Sequence, residues 1–143
     1  MPWPSDAPGV VELPSGRRIR GRRLGGEVTV EVPPTLAVHL AARCPREPPW
    51  ERVWIRWRDF WVPADPDAAT RVLRHAHRRA ETDRVEISCG HGVGRTGTAL
   101  AAMGVLEGMA PEEAVAWVRA HYHPRAVDVP WQRRYLRQVQ SAG

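Results

Sequence analysis

The rhythm of hydrophobic and polar positions changes near the middle of the chain. Up to about Trp57 the apolar residues come in short runs, broken every few positions by turn formers. Val10–Leu13, Arg17–Leu24 and Glu27–Val32 are separated by Pro-Ser-Gly and Gly-Gly, and each reads as a short strand. Leu36–Leu40 and Arg52–Trp57 read as two more. Beyond Pro63 the spacing becomes helical. Asp65-Pro66 sets an N-cap residue before a proline at the first helical position, which predicts a helix to about Glu81. Arg84–Cys89 returns to strand character, with Val85 and Ile87 on one face. A glycine-dense loop follows, then three predicted helices: about Arg95–Glu107, Pro111 to about Tyr122, and Pro130 to about Gln140. Strands first, then strand–loop–helix and further helices, predict an α/β domain with helices packed on a central mixed sheet.

Length makes this a single domain over residues 1–143, with residues 1–9 as an irregular lead-in. A chain of this size buries roughly 70% of its unfolded surface, enough to fold without disulfides or a metal. Two cysteines build no disulfide framework. The lead-in has neither the basic start nor the apolar stretch of a secretory signal. The longest apolar run, TALAAMGVLEGMA, is interrupted by Glu107 and too short to span a bilayer. A cytoplasmic location with no membrane partner is therefore expected. Charge refines the picture. All 21 basic residues are arginine, and the chain has neither lysine nor asparagine, which points to a GC-rich, bacterial genome. A net charge of +5 favours anionic partners. Arg17, Arg18, Arg20, Arg22 and Arg23 form either a solvated strand or hairpin, or a surface that steers phosphorylated or nucleic-acid partners.

The chemistry is concentrated in Val85-Glu-Ile-Ser-Cys-Gly-His-Gly-Val-Gly-Arg-Thr-Gly97. Cys89 ends a strand, Arg95 comes six positions later, and a helix starts at once. Such a loop suits a phosphate: backbone N–H groups point inward and the positive end of a helix dipole adds to them. Gly90, Gly92 and Gly94 let the backbone curl around an anion, with His91 and Val93 completing the loop. The same field favours the thiolate of Cys89, making it a nucleophile. Arg95 holds two phosphate oxygens with a planar fork. A lone cysteine beside a glycine turn is usually structural, but the full pattern C-x-x-G-x-x-R-[ST]-G between strand and helix is far more specific. Gly92-Val-Gly-Arg-Thr-Gly97 also fits a dinucleotide-binding fingerprint. That reading fails because Glu112 and Glu113 open a helix where an acidic residue should end a second strand.

The Cys89–Gly97 loop resembles the signature of cysteine-dependent protein tyrosine phosphatases, in particular the compact dual-specificity branch. Two further segments share the resemblance: Trp57-Arg-Asp-Phe-Trp-Val-Pro63, similar to the mobile loop bearing the family's acid, and Arg125-Ala-Val-Asp-Val-Pro-Trp-Gln132, similar to its water-placing segment. The resemblance implies a dual-specificity phosphatase-like fold and hydrolysis of phosphotyrosine, and of phosphoserine or phosphothreonine, in phosphoproteins. It implies no cofactor and no metal. Cys89 would be the nucleophile, and Arg95 with the amides of Gly90 through Arg95 the phosphate cradle. Asp59 would be the general acid, with Asp65 as rival for that role or as a helix cap. Thr96 would bond the sulfur or cap a helix, and Gln132 would orient water or lie on a helix surface. The chain departs from the family at Ser88, where His is usual, and at Arg58 and Trp61 in the acid loop. Trp54 and Trp117 suit the core, and Trp57 and Trp61 the pocket. A catalytically weak phosphate-binding module and an RNA or phosphoinositide phosphatase are the alternatives, a nucleic-acid partner is not expected, and the oligomeric state is left open.

Overall fold

A computed structural model of the chain describes residues 1–25 and 32–142. Strands β1 (Val10–Glu12), β2 (Arg18–Arg23), β3 (Leu36–Ala41) and β4 (Glu51–Arg56) precede helix α1 (Pro66–Arg79). Then come β5 (Val85–Cys89), α2 (Gly94–Leu106), α3 (Pro111–His121) and α4 (Pro130–Ala142). The elements follow the hydrophobic pattern to within a few residues. The expected strand Glu27–Val32 lies, apart from Val32, outside the described residues.

The sheet runs in the order β1-β2-β5-β3-β4. β1 and β2 are antiparallel, while the β2–β5, β5–β3 and β3–β4 pairs are parallel, so the sheet is mixed as expected. β5 is central and all five of its residues are buried. The register sets Ile19, Val85 and Leu36 in one row and Val38 beside Ile87, with Leu40 beside Cys89 at the strand ends. These residues belong to one core with α2, which is buried from Gly94 through Val105. The alanines and glycines of α2 let α1, α3 and α4 approach it closely, and its sequence is apolar all round because neighbours surround it. No helix among the described residues is long and apolar enough to cross a membrane.

The alternate residues of the central strands face the other way, and there the chemistry is polar. Glu86 is fully buried and accepts from Arg20 and Arg22 of the neighbouring strand. Arg20 also stacks over Trp3 at 4.0 Å, and Arg18 donates to the Trp3 carbonyl. The arginine-rich strand is thus half-buried and ion-paired rather than freely solvated, because β5 supplies a carboxylate that its alternation would otherwise leave uncompensated. His39 and Ser88 are partners across β3 and β5 on this face; both are buried, and neither ring nitrogen of His39 nor the Ser88 hydroxyl finds a hydrogen-bond partner among the described residues.

Two tryptophans change places with respect to expectation. Trp54 stands exposed on the edge strand β4, bonding the Ala41 carbonyl at 2.9 Å. Trp57 is fully buried, edge-on to Tyr135 with ring centroids 5.8 Å apart. Trp117 packs against the core as expected, and Trp61 is exposed.

Candidate active site

The carboxyl ends of β2, β5 and β3 lie side by side, and Cys89 ends the middle strand. Ligand sites of parallel sheets form at such ends. The chain then turns through Gly90, His91, Gly92 and Val93 into α2, whose N-terminus carries no side-chain cap among the described residues. Its free amides are therefore available to an anion. Gly92 has φ +71°, and a Cβ there would lie 2.8 Å from the backbone nitrogen of Arg23. Only glycine meets both conditions.

Cys89 is 1% exposed, and its sulfur accepts two hydrogen bonds, from Gly92 N at 3.2 Å and Thr96 Oγ1 at 3.0 Å. Thr96 therefore serves the sulfur; it does not cap α2. Arg95 is 6% exposed, and its Nη1 donates to the Leu40 and Trp57 carbonyls at 3.3 and 3.0 Å. The guanidinium is thereby fixed against the end of β3 and the start of the 57–63 loop. Its Nε is buried with no hydrogen-bond partner among the described residues. A buried charged donor left so is costly, and an oxyanion would satisfy it.

The 57–63 loop is closed by a bridge between Trp57 and Pro63 and by a turn from Arg58 to Trp61. It brings Asp59 to 3.6 Å from Arg95 Nε and 3.7 Å from His91 Nε2. His91 is largely exposed at the rim. Asp65 accepts from Ala68 N at 3.1 Å as the N-cap of α1. Of the two aspartates, only Asp59 reaches the loop.

Gln132 is completely buried, not a surface helix residue. Its Nε2 donates to the Trp61 carbonyl at 3.1 Å and its Oε1 accepts from Asp128 N at 3.1 Å. The same helix start supplies Trp131, whose Nε1 donates to the Phe60 carbonyl at 2.6 Å. The segment before α4 is itself held by Arg119, which donates to the Ala126 and Val127 carbonyls. Gly97 of α2 lies so close that a Cβ there would sit 2.9 Å from Ala126 Cα. All three segments that the sequence singled out thus meet.

Sequence reasoning missed two participants. Tyr122, the C-cap of α3, donates its hydroxyl to the Gly92 carbonyl at 2.5 Å. Burial, and secondarily the charge of Cys89, push its phenol well above the usual range, so it remains a donor. Its ring lies on β2 at Gly21, and a glycine inside a strand of arginines was the available signal of a close approach there. Trp131 left no signal, because its partner is a loop 71 residues away.

The protein-tyrosine phosphatase family model matches residues 38–127, which include the 57–63 loop and the whole Cys89–Gly97 segment. No curated protein matches the chain. Among solved structures, Tk-PTP in its active form is 26% identical, with 73% of this chain and 78% of that one covered and a TM-score of 0.63. Kinase associated phosphatase is 16% identical (76% and 72% covered, TM-score 0.60), and human DUSP28 17% identical (76% and 75% covered, TM-score 0.56). These last two share the fold. With the family model spanning most of the chain, including the 57–63 loop and the Cys89–Gly97 segment, the protein belongs to the protein-tyrosine phosphatase family and is a phosphatase.

Proposed function

We propose that the chain hydrolyses phosphomonoesters of phosphoproteins, phosphotyrosine foremost and phosphoserine or phosphothreonine in addition, through a cysteinyl-phosphate intermediate. On composition we place it in a bacterial cytoplasm. The observation that carries the reading is a buried sulfur that accepts two hydrogen bonds in a loop whose arginine is fixed, faces one carboxylate, and has an Nε with no hydrogen-bond partner among the described residues.

In the first step the Cys89 sulfur attacks phosphorus as the bond to the leaving oxygen breaks. Asp59, protonated, gives its proton to that oxygen. Arg95 and the amides of Gly90 to Gly94 hold the equatorial oxygens in place before charge develops on them, the preorganised electrostatic effect that usually dominates. In the second step water attacks phosphorus and Asp59 takes its proton. The sulfur departs as the thiolate, which the Thr96 hydroxyl stabilises, and inorganic phosphate is released. Gln132 contributes by holding the loop that carries Asp59, and it orients the water once Nε2 leaves the Trp61 carbonyl. The electrostatic work assigned here to arginine and amides requires no metal.

The test is Cys89→Ser, assayed on p-nitrophenyl phosphate and a phosphotyrosine peptide in the presence of EDTA. The wild type turns over both with EDTA present. The variant binds phosphate but does not turn over, because a hydroxyl yields its proton far less readily than a thiol. Turnover by the variant would refute the mechanism.

A further inference from the structure

The activity proposed above fixes where a phosphate goes and leaves open what carries it. Three of the large apolar side chains that remain exposed lie together beside Asp59: Phe60 at 56%, Trp61 at 53% and Trp131 at 38%. The rings of Trp61 and Trp131 meet edge-on, their centroids 5.5 Å apart, and Trp131 bonds the Phe60 carbonyl. A pocket of about 250 Å³ beside them is lined by Arg58, Asp59 and Trp61. Single exposed aromatics are ordinary; several held on adjoining backbone beside a pocket at a reacting carboxylate form a binding surface.

The backbone beneath these rings supplies a second, independent observation. Phe60 has φ +58°, in the left-handed region that a bulky aromatic rarely adopts. Asp59 Oδ1 accepts from its N–H at 3.0 Å, and the Trp61 carbonyl accepts from both Trp57 Nε1 and Gln132 Nε2. Costly backbone geometry is thus maintained by these three hydrogen bonds and the one from Trp131 Nε1 to the Phe60 carbonyl, at a place where two aromatic side chains remain in solvent. An occupant meets rings on a backbone that is already fixed, so little ordering remains for it to supply.

We propose that Phe60, Trp61 and Trp131 form a docking rim for the polypeptide on either side of the phosphorylated residue. The partner is a phosphopeptide bearing an aromatic or branched aliphatic residue one or two positions from the phosphoresidue, with an acidic neighbour reaching Arg58. This rests on the phosphoprotein reading above and narrows it. A peptide fits better than a lipid surface, because a pocket of this volume is sized for one side chain.

The experiment compares two phosphotyrosine peptides of equal length and acidity, one with Phe or Leu flanking the phosphotyrosine and one with Gly there. The wild type should favour the first by roughly 5- to 30-fold in kcat/KM, chiefly through KM. In Phe60→Ser and Trp61→Ser this ratio should fall towards one. Because the readout is a ratio, a general loss of loop function, monitored with p-nitrophenyl phosphate, cancels. Equal kcat/KM values in the wild type, or a ratio that survives both substitutions, would overturn the rim. Calorimetric binding of the two peptides to Cys89→Ser separates the two proposals. A flank preference in binding with no wild-type turnover removes the hydrolytic reading alone; turnover without a flank preference removes the rim alone. Vesicles of phosphatidylcholine with a phosphatidylinositol phosphate form the last arm. Loss of vesicle binding in both variants with an unchanged peptide ratio would make the rim a membrane surface and refute the proposal.

Discussion

Gly21→Ala should damage the phosphate loop without touching any reacting group. The Cβ it adds would lie 2.5 Å from both Cζ and Oη of Tyr122, about 1 Å short of ordinary contact. The three atoms nearest that Cβ all belong to Tyr122, so the ring must move. Its hydroxyl holds the Gly92 carbonyl at 2.5 Å, and a shift of about 1 Å breaks that bond. The carbonyl fixes the plane of the Gly92–Val93 peptide and hence the aim of the Val93 N–H. Overpacking should cost about 1–3 kcal/mol and the lost bond about 1 kcal/mol more. Urea denaturation reads the total, and phosphate inhibition of p-nitrophenyl phosphate turnover reads the cradle. Tyr122→Phe removes only the hydroxyl and should cost about 1 kcal/mol, with about a fivefold loss in kcat/KM. The decisive variant combines Gly21→Ala with Tyr122→Ala. There the added methyl meets no ring and its cost should fall below about 1 kcal/mol, a coupling that a double-mutant cycle isolates. An equal cost for Gly21→Ala in both backgrounds would refute the account.

Asp59→Asn should lower kcat by roughly 10²–10⁴ for poor leaving groups and by much less for activated aryl phosphates. A uniform loss across a series of aryl phosphates would contradict acid catalysis by this residue. Gln132→Ala should lower stability by about 1–3 kcal/mol in urea denaturation, because it empties a fully buried position, removes one of the two donors to the Trp61 carbonyl and takes the acceptor from Asp128 N–H; a surface position would register within about 0.5 kcal/mol. His39 carries a pH dependence. Burial first, then the charges of Arg52 and Arg22 against that of Glu86, push its pKa down to about 4. The unfolded chain takes up this proton near pH 6.5, so stability present above that pH is lost as pH falls towards 4, by up to about 3 kcal/mol. His39→Leu should flatten the urea midpoint between pH 7 and 4.5, and an unchanged slope would refute the assignment.

Much of this was legible along the chain because the signals are local. Asp65-Pro66 starts α1 through one side-chain bond and one fixed dihedral, and both lie within four residues. The spacing from Cys89 to Arg95 encodes a loop whose ends are a strand and a helix, so the anion site proposed here could be suggested before any fold was known. What the sequence could not decide depended on contacts between distant segments. Trp57 and Trp61 are four residues apart in one loop, yet one is core and the other solvent-facing, because α4 sets buried Tyr135 against the first and exposed Trp131 against the second. The alternation of β5 showed one apolar face; that its other face is buried too follows only from β2 supplying arginines to Glu86. Gln132 could have faced water or the core until α4 was set against the 57–63 loop. A periodicity names the face of an element, whereas the partner of that face is chosen by chain segments tens of residues away, through packing and the need to pair every buried charge.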